Sequence, residues 1–276
     1  MPPQTILITG CSSGIGEHAA HALQARGHTV FASARQAADV ARLQASGLTA
    51  VQLDMDDSAS INRAVDTVLE HSHGRLDALF NNAGYGLTGA VEDISRQALR
   101  EQFETNVLGA HELTCRVLPV MRDQGYGRII QCSSVLGFVV MPFRGAYCAS
   151  KFALEALSDA LRQELRGSGI QVSIIEPGPI LTQFRANSLR AFRQAIDIER
   201  SPHQHRYRET LQRLDTPGPA VPFTLQPEAV TRKLIHALES PRPKARYYVT
   251  VPTYLFAGLR RILPSRWLDR LVTHRS

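Results

Sequence analysis

From residue 4 to about residue 180 the chain alternates short apolar or β-branched runs with longer stretches whose apolar positions recur every three or four residues. That rhythm predicts βαβ units stacked into a mostly parallel sheet. The runs at 5–9, 29–34, 49–53, 77–81, 128–133 and 170–175 read as strands, and 246–251 as a late seventh. The first helix is predicted over 14–26, with Ile15, Ala19, Ala22 and Leu23 on one face and Gly27 as its stop. Further helices fit 37–46, 58–72, 95–123 and 147–167, the last carrying Leu154, Leu157, Leu161 and Leu165 on one stripe. The fold class is α/β, a doubly wound, mostly parallel seven-stranded sheet.

The rhythm breaks at 181–225, where a polar, arginine-rich and helical stretch is expected, ending in the proline-laden run 215–223. An interruption of that length inside a domain reads as a lid over a functional site. A helix is expected at 227–239. The tail 252–276 predicts two short amphipathic helices split at Pro264, with Leu255, Leu259, Ile262 and Leu263 on one face and Trp267, Leu268, Leu271 and Val272 continuing it. The expected division is one domain over 1–251, lid included, followed by the tail.

Composition narrows the class. The 276 residues are 43% hydrophobic and 20% charged, enough apolar content for a sizeable core and too much for a disordered chain. Cys11, Cys115, Cys132 and Cys148 lack metal-ligand spacing and sit in settings that suit reduced thiols. No signal-like N-terminus and no membrane-spanning run is visible, so a cytoplasmic protein is expected. Net charge is +6, but residues 1–180 are net −4 and residues 181–276 net +10. Without interleaved aromatic platforms, this basic half reads as a solvated or subunit-facing surface and not a nucleic-acid site.

Three features carry chemistry. The first strand runs into Gly10-Cys11-Ser12-Ser13-Gly14-Ile15-Gly16 and directly into a helix, a turn suited to a pyrophosphate at a helix N-terminus. Its spacing is GxxxGxG and differs from GxGxxG. The second strand ends at Arg35, with no carboxylate between Thr29 and Ala38, which favours a ribose bearing a 2′-phosphate and hence NADP(H). Tyr147 and Lys151 stand four residues apart, on one helix face, where an ammonium is expected to draw the phenol's pKa down toward working pH. Lysine is scarce, three against 28 arginines.

Taken with Asn81-Asn82-Ala83-Gly84, with Ser134 thirteen residues before Tyr147, with YCASK at 147–151 and with PGPILT at 177–182, these features resemble the short-chain dehydrogenase/reductase family over residues 4–251. The finer pattern, including SIIEPGPI and the PTYLF…LRRILP tail, is similar to its bacterial NADP-dependent aldehyde reductases, a branch related to retinol and hydroxysteroid dehydrogenases. The resemblance implies a Rossmann fold and assigns roles by position. Tyr147 is the general acid/base, Lys151 its partner and a ribose ligand, Ser134 the holder of the substrate oxygen, and Asn106 the completion of a proton relay. Gly10, Ser12, Ser13, Gly14, Ile15 and Gly16 line the phosphates, Ser12 sharing the 2′-phosphate with Arg35. Asp54 and Met55 serve the adenine, Asn82, Ala83 and Gly84 its ribose, and Pro177, Gly178, Ile180 and Thr182 the nicotinamide. Where many NADP-using members carry a second basic residue, this chain has Ser13, so NAD use stays open.

The expected reaction is reduction of a hydrophobic aldehyde or ketone, with retinol or hydroxysteroid oxidation as the alternative and a non-catalytic NADP sensor as the rival from another class. Phe184, Leu189, Phe192, Ile196 and Ile198 of the lid, with Phe138, Val140, Met141 and Phe143, are expected to form the apolar wall. Ser133 competes with Ser134, but the interval and strand alternation favour Ser134. Cys148 reads as a small buried filler, His203 and His205 as loop histidines, and Glu176 as locally hydrogen-bonded; no metal site is expected. A homodimer or homotetramer is implied through 95–123 and 147–167. The tail is expected to pack on its own domain or on a partner subunit, with peripheral membrane contact as the alternative.

Overall fold

In a computed structural model, which describes residues 2–215, 218 and 221–273, the apolar runs form seven parallel strands. They are β1 (Thr5–Ile8), β2 (Thr29–Ala34), β3 (Thr49–Gln52), β4 (Ala78–Asn81), β5 (Gly127–Cys132), β6 (Ile170–Glu176) and β7 (Arg246–Tyr248), in spatial order β3-β2-β1-β4-β5-β6-β7. Strand order reverses between β1 and β4, and the crevice beyond the carboxyl ends of these strands is where such sheets hold ligands.

Both faces of the sheet are covered, so the strands are near-continuously apolar and alternate strictly between two cores. Ile6, Ile8, Val30 and Ala32 face the layer of α1 (Gly14–Ala25), α2 (Ala37–Ala45) and α9 (Glu228–Glu239), where Ala19, Leu23, Leu43 and Leu234 are fully buried. Leu7, Phe31 and Leu79 face α3 (Ser58–His71), α5 (Ala110–Asp123) and α6 (Gly145–Glu164), meeting Ile61, Val65, Leu113 and Leu154. Asp57 caps α3 by accepting from the Ala59 N–H at 2.8 Å.

Two expectations change in detail. The helix anticipated over 95–123 is two helices, α4 (Arg96–Phe103) and α5, joined by a π-helical turn at Glu104–Gly109. Gly109 lies against the backbone of Met55, where a Cβ would stand 2.1 Å from the Met55 carbonyl oxygen, and Asn106 is buried within the wide turn. Strand β7 stops at Tyr248 instead of 251, because α10 (Val251–Ile262) begins there with Pro252 in its first turn. The stretch 181–225 contains α7 (Phe184–Ala195) and α8 (Gln204–Asp215), which close on their own small core of Phe192, Ile196 and Tyr207. The Tyr207 hydroxyl donates to Asp93 and accepts from the Ala90 N–H at 2.8 Å, pinning this pair to the body. Of the proline-laden run, 216, 217, 219 and 220 lie outside the described residues. The tail contains α10 and α11 (Ser265–Thr273), and Val272 packs with Phe138 and Val139.

Candidate active site

The turn after β1 is shaped by close backbone approach. Gly10 has φ +70°, and a Cβ on Gly16 would lie 2.4 Å from the Gly10 carbonyl oxygen and 2.7 Å from Asn82 Nδ2. Asn82 braces the turn, its amide donating to the carbonyls of Thr9 (2.9 Å) and Gly10 (3.1 Å). The Thr9 hydroxyl accepts from the N–H groups of Asn82 and Ala83, both at 2.9 Å. Ser13 occupies the N-cap of α1 in extended conformation with no side-chain bond to the first turn, so the leading N–H groups of α1 have no side-chain cap. This cradle fits a dinucleotide's pyrophosphate. Thr182 closes it from across the crevice, near enough that a Cβ on Gly14 would touch it at 2.9 Å. A Gly16→Ala substitution is expected to cost about 1–3 kcal/mol by overpacking and to remove the stabilisation that a nicotinamide dinucleotide confers, read as a melt with and without the dinucleotide.

Arg35 is exposed just beyond β2. Asp54 is half-buried after β3, its Oδ1 accepting from the Asp56 N–H at 3.1 Å, and Met55 is buried beside it. Arg42 is a neighbour the sequence reading missed. From α2 it donates to the Ser12 carbonyl at 2.6 Å and pairs with Glu17 at 2.5 Å. Its signal was only a basic residue two turns beyond Arg35.

Past β5, Ser134 caps a 3₁₀ turn at Val135–Gly137, its Oγ accepting from the Leu136 N–H at 3.1 Å. That places its hydroxyl against the Tyr147 phenol, whereas Ser133 faces Glu155. Tyr147 and Lys151 sit one turn apart on α6, both buried. Lys151 Nζ donates to the Cys132 carbonyl at 2.8 Å and stands 5.9 Å from the centre of the Tyr147 ring. Asn106 reaches in from the π turn. Its Nδ2 donates to the Tyr85 carbonyl (2.9 Å) and to Ser150 Oγ (3.0 Å), while its Oδ1 accepts from the Tyr85 N–H at 3.1 Å. Ser150 in turn donates to the Tyr147 carbonyl at 2.8 Å. Over Gly84 the two groups converge: a Cβ there would lie 3.0 Å from Asn106 Oδ1 and 3.6 Å from Lys151 Nζ.

The electrostatics correct one expectation. Burial holds the Tyr147 phenol above its ordinary pKa, and the Ser134 hydrogen bond only partly offsets it. Burial also lowers Lys151, despite the opposing influence of Cys132 and Glu155. The ammonium is drawn to a backbone carbonyl and does not touch the phenolic oxygen, so desolvation wins. The tyrosine is therefore a protonated acid near neutrality.

Pro177 accepts from the Val135 N–H at 2.8 Å, and Gly178 packs under Thr250. Ile180 bridges in parallel with Leu225, the Leu181 N–H donating to the Leu225 carbonyl at 2.9 Å. The Phe184 ring meets the Tyr147 ring edge-on at 5.4 Å. Leu189 is buried. By contrast with the expected wall, Phe192 and Ile196 lie in the small core around Tyr207, and Phe143 packs edge-on against Tyr207 at 5.9 Å; these three side chains serve that packing and not the wall. Val140 is largely exposed. Cys148 is buried, and His203 bonds Glu92 at 2.7 Å. Behind the site lies a cluster no sequence motif announced. Arg246 of β7 contacts Glu155, Glu176 (2.6 Å) and Asp159 (2.6 Å). Glu155 stands four residues after Lys151, the one spacing that hinted at it.

The short chain dehydrogenase family model matches residues 4–192, and the chain belongs to that family of enzymes acting on carbinol and carbonyl groups. It is 45% identical over 269 residues to the uncharacterized oxidoreductase YbbO of Escherichia coli, spanning 98% of this chain and 94% of the relative. It is 34% identical to human 17-beta-hydroxysteroid dehydrogenase type 1 over 91% of this chain and 78% of the relative. A solved short chain dehydrogenase/reductase from Burkholderia phymatum in complex with NAD superposes with a TM-score of 0.77 at 25% identity, covering 94% of this chain and 92% of that one.

Proposed function

We propose that this oxidoreductase reduces hydrophobic aldehydes or ketones to alcohols with NADPH. The observation that carries the reading is the buried convergence of Ser134, Tyr147, Lys151 and Asn106 beside an uncapped helix N-terminus. When bound, the nicotinamide supplies the hydride for the carbonyl carbon. Ser134 and Tyr147 hold the carbonyl oxygen between two hydroxyls, and Tyr147 gives it the proton that the reduced oxygen needs. A phenol kept protonated by burial suits the reductive direction. Lys151, fixed by the Cys132 carbonyl, and Asn106, fixed by the Tyr85 backbone, keep a charged and a polar group behind the phenol to restore its proton.

The preference for a hydrophobic substrate rests on what borders Ser134 and Tyr147. Phe184 packs its ring edge-on against the phenol at 5.4 Å. We assign the stretch 181–225 as a lid, since Phe184 and the Ile180–Leu225 bridge tie it to the cleft. The subunit arrangement we favour is a dimer or tetramer of this chain, and the setting cytoplasmic; among the described residues no helix is long and apolar enough to cross a membrane.

The choice of NADP(H) over NAD(H) rests on Arg35, exposed just beyond β2. Arg42, held by Glu17 and the Ser12 carbonyl, adds a second cation there. Replacing Arg35 by Asp exchanges an attractive contact with a dianion for a repulsive one, which predicts a shift in kcat/KM ratio toward NADH of about a hundredfold. Initial rates with both dinucleotides check this. An unchanged preference would assign the 2′-phosphate elsewhere.

A further inference from the structure

The basic half of the chain is not explained by catalysis, and the structure shows where it gathers. On α10 the side chains of Val251, Tyr254, Leu255 and Ile262 recur at helical spacing on the outer face, and all are exposed, Ile262 to 79%. Trp267 and Leu271 continue the exposed apolar surface on α11. The inner face of the same helices is already satisfied, Phe256, Ala257 and Val272 packing on the loop of Phe138 and Val139. Outward apolar surface therefore adds nothing to the fold, and contiguous surface of this kind marks a contact with something else.

Charge says what it contacts. Residues 251–273 carry four arginines and a single carboxylate, Asp269. Beside them, α9 and β7 enclose a cleft of about 410 Å³ lined by Arg232, Lys233, His236 and Lys244 around Tyr247. No carboxylate lines that cleft among the described residues. The two features are joined, since Lys233 Nζ lies 3.5 Å from the hydroxyl of Tyr254 on the apolar stripe. Apolar side chains, interfacial Trp and Tyr, and adjacent cations are the surface that an anionic bilayer accepts. A second copy seated on this face would bring two surfaces of four arginines and one carboxylate each against one another, which opposes pairing.

We infer that α10, α11 and the neighbouring basic cleft form a docking surface for an anionic lipid bilayer. Docking there leaves the chain outside the hydrocarbon core, held by shallow apolar insertion and headgroup charge. It is independent of the substrate assigned above.

Flotation with vesicles tests it, using phosphatidylcholine alone and equal parts phosphatidylcholine and phosphatidylglycerol. The chain is expected to float with the anionic vesicles and to bind phosphatidylcholine at least about tenfold more weakly, with added salt weakening the anionic binding. The double variant Ile262→Glu, Trp267→Glu is expected to lose flotation while keeping its melting temperature and carbonyl turnover. The pair Lys233→Glu, Lys244→Glu is expected to bind the anionic vesicles about tenfold or more weakly, an independent readout should the first variant fold poorly. The inference is overturned if the chain ignores both vesicles, binds both equally, or floats unchanged in either variant. It is equally overturned if, without lipid, Ile262→Glu, Trp267→Glu lowers the number of associated subunits in sedimentation velocity, which would give this face to a second copy.

Discussion

A Tyr147→Phe enzyme is expected to turn over carbonyl substrate about a thousandfold more slowly than wild type, while binding NADPH with nearly unchanged affinity. The change removes one hydroxyl from a buried ring, whose edge contact with Phe184 and place on α6 stay as they are. What is lost is the hydroxyl that bonds Ser134 and that the proposed reaction uses as its acid. Single-turnover rates and a dinucleotide titration separate the two quantities. Turnover that survives the substitution would move the proton donor elsewhere. Because burial raises the phenol and the Ser134 hydrogen bond only partly offsets it, the wild-type reductive rate is expected to stay level through neutrality and to fall only on the alkaline side.

The second large effect lies one layer behind the site. Replacing Arg246 by Ala is expected to destabilise the fold by about 3–5 kcal/mol at alkaline pH, where the buried carboxyls are ionised, because it strands them without their cation. Glu176 has a side chain only 1% exposed, and Glu155 is buried beside it. In the intact protein, burial and then the Glu155 charge push the Glu176 carboxyl up to about 8, and Arg246 offsets this only in part. A carboxyl raised in the folded state binds its proton more tightly there than in the unfolded chain. Its stabilising contribution is full at low pH and is lost as pH rises from the ordinary carboxylate range toward 8. Denaturant unfolding is therefore expected to show wild-type stability declining by about 1 kcal/mol per pH unit across that window. Adding Glu176→Gln to Arg246→Ala should recover part of the loss. Stability flat between mildly acidic and mildly alkaline pH would contradict the shared-cation account.

Much of the sheet was legible because parallel strands covered on both faces must be apolar throughout, as Ile6, Leu7 and Ile8 are. The glycine turn and the Tyr147/Lys151 pair were legible because each is local, a few residues on one element. Less visible was whatever depends on elements meeting. Phe192 and Phe143 read as substrate wall from their apolarity alone, yet both pack against Tyr207, which lies 15 residues beyond the one and 64 beyond the other. The π turn at Glu104–Gly109 leaves no periodic trace, since it widens one helical turn where Gly109 meets the Met55 backbone. The phenol's raised pKa was likewise hidden, because helical spacing reports that a lysine is near but not that its ammonium is spent on the Cys132 carbonyl. Arg246 looked like an ordinary basic residue until β7 laid it across three carboxylates.

The most direct test of the central claim is the loss of NADPH absorbance when the protein meets a panel of aliphatic, aromatic, retinoid and steroid carbonyls. The account predicts steady turnover, fastest with the hydrophobic members and faster with NADPH than with NADH. Tight NADPH binding with no turnover on any carbonyl would contradict it and would make the chain a dinucleotide-sensing protein built on an enzyme's fold.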